Sequence, residues 1–127
     1  MLARMRNLVA SCLFAVVACS VHAEKAVIIG HGSTSCGDWL KVTSSKETID
    51  MANHIGMSQW FMGFLSGVNS ARIDQNRETY DLPAYNSIEA YVSKACSDNP
   101  LQNLFQVAIK LQLAIRQQEQ SLGRGKN

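Results

Sequence analysis

Apolar and polar positions fall into blocks along the chain. Leu8 to Ala18 is apolar apart from Ser11 and Cys12, and it is too short for a spanning helix, which needs ~20 residues. Much further on, apolar residues recur at Ile49, Ala52, Met57, Trp60, Phe61, Phe64, Leu65, Val68 and Ala71. Spacings of three and four dominate, so this stretch predicts an amphipathic helix running to about Arg72. Ser44-Ser45-Lys46-Glu47 ahead of it fits a capping box. Ile88, Tyr91, Val92 and Ala95 form a second apolar face, opened by the cap-like Asn86-Ser87-Ile88-Glu89 and followed by Cys96 at the helix end. Asp98-Asn99-Pro100 reads as a stop and an immediate restart, a side-chain cap with proline at the first helical position. The last helix then places Leu101, Leu104, Phe105, Ala108, Leu111 and Ile115 on its buried stripe.

Shorter elements complete the picture. Ala26 to Ile29 is a β-branched run leading into Gly30-His31-Gly32-Ser33-Thr34-Ser35, an extended arm followed by a loop. A short helix near Ser35 buries Trp39 and Leu40 and carries Cys36 in its first turn. Gln117 to Gln120 is polar, and Gly123 begins a frayed tail. No strand-rich region appears beyond the arm. The expected fold is all-α, a small bundle of three main helices plus one short helix. Its divisions are 1–23 signal peptide, 24–35 arm and loop, 36–122 helical domain and 123–127 disordered tail.

Gly63 and Gly67 lie four apart on one face of the long helix, beside Ser66. Each costs a helix ~1 kcal/mol relative to alanine, so an offsetting reason is expected. Close packing of another helix is the ordinary one, and a notch that receives a partner is the functional one. Residues 73–85 lack helical periodicity and include Pro83. Tyr80 and Tyr85 in this polar stretch are read as packing lids or, functionally, as partner contacts.

Charge and cysteine usage change the reading of the first block. Arg4 and Arg6 precede the apolar run, no acid occurs before Glu24, and Val21-His22-Ala23 suits signal cleavage after Ala23. Val16-Val17-Ala18-Cys19 resembles a lipobox, so acylation at Cys19 and an outer-membrane lipoprotein form the alternative. The chain carries 12 Lys+Arg and 10 Asp+Glu, a formal +2. Arg4 and Arg6 leave with the signal, so the exported chain is balanced and has no basic block for a phosphate backbone. Nucleic acid is therefore not an expected partner. Of four cysteines, Cys12 and Cys19 lie in the signal, leaving Cys36 and Cys96 as one pair in an oxidising compartment. A disulfide is the expected fate of that pair, and a thiol nucleophile at Cys36 is the alternative.

Catalytic signatures are sparse. The glycine-rich loop lacks the Gly-Lys-Ser/Thr of a phosphate-binding loop, and no G-x-S-x-G occurs. His31 and His54 show no paired spacing for a metal site. Asp38, Asp50, Asp74, Asp81 and Glu89 are scattered and read as caps or solvated positions. The expectation is a non-enzyme with no cofactor and no metal.

Ser35-Cys36-Gly37-Asp38-Trp39-Leu40, the run from Trp60 to Asn69, and Ala95-Cys96-Ser97-Asp98-Asn99-Pro100 together resemble the small exported, disulfide-linked helical proteins of the HdeA-like group. They are also similar to the Rap/Tai-type immunity proteins of type VI secretion, with a W-x-x-G-[FY]-x-x-G helix. The resemblance covers roughly residues 35–115. It implies a periplasmic protein that binds a protein partner in an immunity-like or assembly role, as a monomer or a homodimer, with no membrane span once the signal is removed. The alternative it implies is an acid-stress chaperone for unfolded clients. In that case acid neutralises the ten carboxylates and self-repulsion loosens the domain. An uncharacterised small enzyme, needing a reactive Cys36 or a carboxylate pair, ranks third.

Overall fold

Serine, threonine and asparagine side chains at the helix ends, and apolar stripes between them, determine where the chain folds back on itself. A computed structural model describes residues 28–124. The expected signal peptide with Cys12 and Cys19, the first part of the expected arm, and residues 125–127 of the expected tail lie outside the described residues. A 3-10 turn, Gly30–Ser33, is followed by four helices: α1 (Cys36–Ser44), α2 (Thr48–Asp74), α3 (Tyr85–Asp98) and α4 (Leu104–Arg124). The fold is all-α, and among the described residues the only β pairing is an isolated bridge between Ser35 and Asn103.

Helix α1 begins where the sequence places it. Ser35 Oγ accepts from the Asp38 backbone N–H at 3.0 Å and donates to the Asp38 carboxylate at 2.7 Å, satisfying one of the amides that a helix start leaves open. The capping box expected at 44–47 does not form. Ser44 is still inside α1, Ser45 Oγ takes the Glu47 N–H, and Glu47 occupies the cap position of α2 without a side-chain bond. The α1–α2 junction is thus too short for a box of its own. Helix α2 closes with the left-handed Asn76 (φ 53°), with Arg77 N–H bonded to the Arg72 carbonyl and Asn76 N–H to that of Ile73. Those two bonds make a Schellman motif built on asparagine.

Two further starts differ from expectation. Asn86 and Ser87 lie within the first turn of α3, whose cap is Ala84 with no side-chain bond. Pro100 does not open α4. Residues 99–103 form a turn, and Asn103 and Gln106 exchange side-chain-to-backbone bonds of 2.9 Å each. This reciprocal pair is the capping box that starts the helix at Leu104. Leu101, expected on the buried stripe, consequently stands in the turn at 95 % exposure. At the other end α4 continues through Gly123 into Arg124.

The core is assembled from all four helices. Trp39, Phe61, Leu65, Val92, Leu104 and Val107 are fully buried, together with the disulfide between Cys36 and Cys96. Trp39 meets Phe61 edge-on at 5.9 Å and donates its indole N–H to Ser93 Oγ at 3.1 Å, so α1 is fixed to α2 and α3 at one side chain. Beside the disulfide, Cys36 N–H bonds Gln102 O and Leu104 N–H bonds Thr34 O, each at 2.9 Å. The starts of α1 and α4 are thereby bracketed by backbone as well as by sulfur. Among the described residues no helix is long and apolar enough to cross a membrane.

Close approach occurs at glycines other than those the sequence singles out. A Cβ on Gly32 would lie 2.5 Å from the Trp60 ring, and one on Gly56 would lie 2.8 Å from His31 Nε2. These contacts seat the 3-10 turn on α2. Gly63 and Gly67 have nothing within 4 Å of such a Cβ, so no other helix packs on them. The first turns of α2 are also more exposed than its periodicity implies, with Ile49, Met51 and Ile55 open to solvent.

Candidate functional site

A trough follows α4, formed because that helix meets α3 and the 75–84 loop along only part of its circumference. Four recesses lie around it, and successive ones share lining residues. The first, about 600 Å³, lies between the 99–102 turn and α4 and is lined by Leu101, Phe105 and Ile109 with Gln102 and Lys110. The second, about 260 Å³, shares Gln102 and Lys110 and adds Tyr91 and Lys94 from α3. Tyr91 also lines the third, about 380 Å³, where Leu82 and Pro83 of the loop face Leu111, Ile115 and Leu122. Glu119 connects this to the fourth, about 280 Å³, between Arg72, Arg77, Tyr80 and Arg116. An apolar lining with a few polar groups is the usual composition of a surface that takes an apolar segment.

Polar side chains fix the walls. The buried Gln102 donates to the Ala95 carbonyl at 2.8 Å and accepts from Lys110 Nζ at 2.7 Å, linking the end of α3 to α4. Phe105 is held against α2 by Phe64, edge-on at 5.9 Å, and Phe64 in turn stacks on Trp60 at 5.7 Å. Burial pushes the Tyr91 phenol above its ordinary pKa, since the phenolate would lose solvation between the two helices. Glu119 accepts from the Asp81 N–H at 2.7 Å and ties the loop to the far end of α4.

The sequence-derived contact residues are placed differently from one another. Tyr80 is half-buried and acts as a latch: its backbone N–H and C=O both bond the Asn69 side chain, and the Arg72 guanidinium lies 3.9 Å over its ring. Arg72 also donates to the Tyr80 hydroxyl and to the Glu78 carbonyl. Tyr85 is exposed at the start of α3, and Gly63 and Gly67 are exposed on α2. None of these three lines the four recesses. Leu101 and Phe105, in the most apolar part of the trough with Ile109, read as core stripe positions in the sequence. An apolar periodicity does not distinguish a residue facing core from one facing a groove.

A second polar group joins α2 and α3. His54 Nε2 lies 2.7 Å from Glu89 Oε2, and Ser58 donates its hydroxyl to Glu89 Oε1. Trp39 meets the His54 ring edge-on at 5.0 Å. Glu89 is therefore a partly buried interhelical acceptor, correcting its reading as a cap or solvated acid. Its carboxylate sits between the hydroxyl and the imidazole, and no His54–Ser58 hydrogen bond forms. A serine nucleophile needs the base next to it, so this order of groups does not activate Ser58. Among the described residues no group of three His, Cys, Asp or Glu side chains could hold a metal ion. Cys36 is sealed in the disulfide at 0 % exposure, which removes it as a nucleophile. No family model matches the chain, and neither a curated protein nor a solved structure matches it.

Proposed function

We propose that this is a non-enzymatic exported protein of a bacterial envelope that binds an apolar segment of a protein partner in the α4 trough. The role is immunity-like or one of assembly, in the periplasm after cleavage at Ala23. The observation that carries the reading is the recess of about 600 Å³ lined by Leu101, Phe105 and Ile109, with an almost fully exposed leucine at its mouth. Binding at such a surface gains from removing Leu101, Phe105 and Ile109 from water, at ~25 cal/mol per Å² before ordering costs. The resemblance to immunity proteins supports the same reading.

The test is capture by the exported chain at pH 7, comparing the native protein with Leu101→Glu and Ile109→Glu. A single stoichiometric partner, lost with either variant while helical content is unchanged, is the expected result. Equal capture by all three proteins would remove the trough from the account. Tyr85→Ala reports whether the interface extends to the start of α3.

A second reading, an acid-stress chaperone, is favoured by one observation: the carboxylate of Glu89 is the shared acceptor between α2 and α3. The same capture experiment at pH 3 separates the readings, since many unfolded clients bound only in acid would favour the chaperone.

A further inference from the structure

Three arginines from two helices and a loop converge at the far end of the trough, around Tyr80. Arg72 is fixed there by its bonds to the Glu78 carbonyl at 2.6 Å and the Tyr80 hydroxyl at 3.0 Å, with its guanidinium over the tyrosine ring. Arg77 follows the left-handed Asn76 that ends α2, and Arg116 projects from α4. Neither the Arg77 nor the Arg116 side chain makes a hydrogen bond or ion pair among the described residues, so both forks of donors are uncommitted there. The single carboxylate lining this recess, Glu119, is engaged by the Asp81 N–H. The lining therefore carries three cations against one anion, around about 280 Å³.

We propose that this recess is an oxyanion site that takes a carboxylate or phosphate group. Planar guanidinium forks match both groups, two donors to two oxygens, and Arg72 is already held in place by Tyr80. Arg77 and Arg116 close on the anion from the loop and from α4. Binding thereby joins the end of α2 to the end of α4 through the ligand, beside the Glu119–Asp81 link that ties the loop to α4. The site stands independently of what occupies the apolar part of the trough, and its test reports on the arginines alone.

The experiment is titration of the exported chain with sodium succinate and with sodium phosphate, following arginine Nε–H signals by NMR at constant ionic strength, with sodium chloride as the reference. Saturable shifts confined to Arg72, Arg77 and Arg116 are expected with at least one of the two salts. The salt that saturates at lower concentration assigns the class as carboxylate or phosphate. Arg77→Ala with Arg116→Ala should weaken that binding by about tenfold or more, with the remaining amide spectrum unchanged because both side chains are exposed. Linear shifts equal to those in chloride would overturn the proposal. So would saturation that persists unchanged in the double variant.

Discussion

Gly32 and Gly56 lack a side chain because Trp60 and His31 occupy the space it would fill. Gly63 and Gly67, four residues apart in the same helix, face open space. The two pairs should respond oppositely to alanine. Gly32→Ala should destabilise by ~1–3 kcal/mol, since an indole ring and Ile28 must both move. Gly56→Ala should cost less, because the end of the His31 side chain can swing aside. Gly63→Ala and Gly67→Ala should each stabilise by ~0.5–1 kcal/mol through helix propensity. Urea unfolding of the four variants checks the ordering, and a loss at Gly63 would mean that another element packs there. Glu89 gives a second residue-scale prediction. Glu89→Ala leaves Ser58, only 3 % exposed, and His54 without their shared acceptor, and should cost about 2 kcal/mol in the same assay. Neither result is legible from spacing. Glu89 and His54 are 35 residues apart, and the glycine pattern reads the same whether a helix or solvent lies above it.

The elements follow the periodicity closely in the middle of each helix and less closely at their ends. Helix α1 begins at its expected serine, whereas α4 begins four residues after Pro100. A proline fits the first helical position well, but here the reciprocal Asn103–Gln106 bonds cap the helix and the backbone of 102–104 is already paired with 34–36. That pairing is long-range, so local sequence signals favour the wrong start. Asn103→Ala should lower stability by ~1 kcal/mol. Asn99→Ala should change it little, because the Asn99 side chain makes no hydrogen bond among the described residues. Thermal unfolding of both variants distinguishes the two starts, and the reverse order would restore the helix beginning at Pro100. The same shift explains why Leu101 reads as core in the sequence and stands at the mouth of the trough in the structure.

At the scale of the whole molecule, two distant cysteines and four apolar faces specify the bundle. The all-α class and the Cys36–Cys96 link are legible because Cys36 and Cys96 are the two cysteines beyond the expected signal segment, which leaves one bridge possible between them. The bridge closes a loop with a sequence separation of 60. Reduction should therefore lower unfolding free energy by roughly 4 kcal/mol on a chain-entropy argument. Unfolding with and without reductant measures this, and an unchanged midpoint would mean that the backbone bracket at 34–36 and 102–104 suffices alone. The trough was not legible at this scale, because it arises from how α4 sits against α3 and the loop rather than from any local motif.

The central claim is that a protein segment occupies this trough. Photo-crosslinking from single exposed positions tests it most directly, with the crosslinker at Leu101 or Gln118, which line the trough, and at Gln59, an exposed position on α2. In envelope extract at pH 7, the trough positions should each yield one discrete protein adduct of the same mass, and Gln59 should yield none. Adducts from Gln59 with none from Leu101 and Gln118 would contradict the claim.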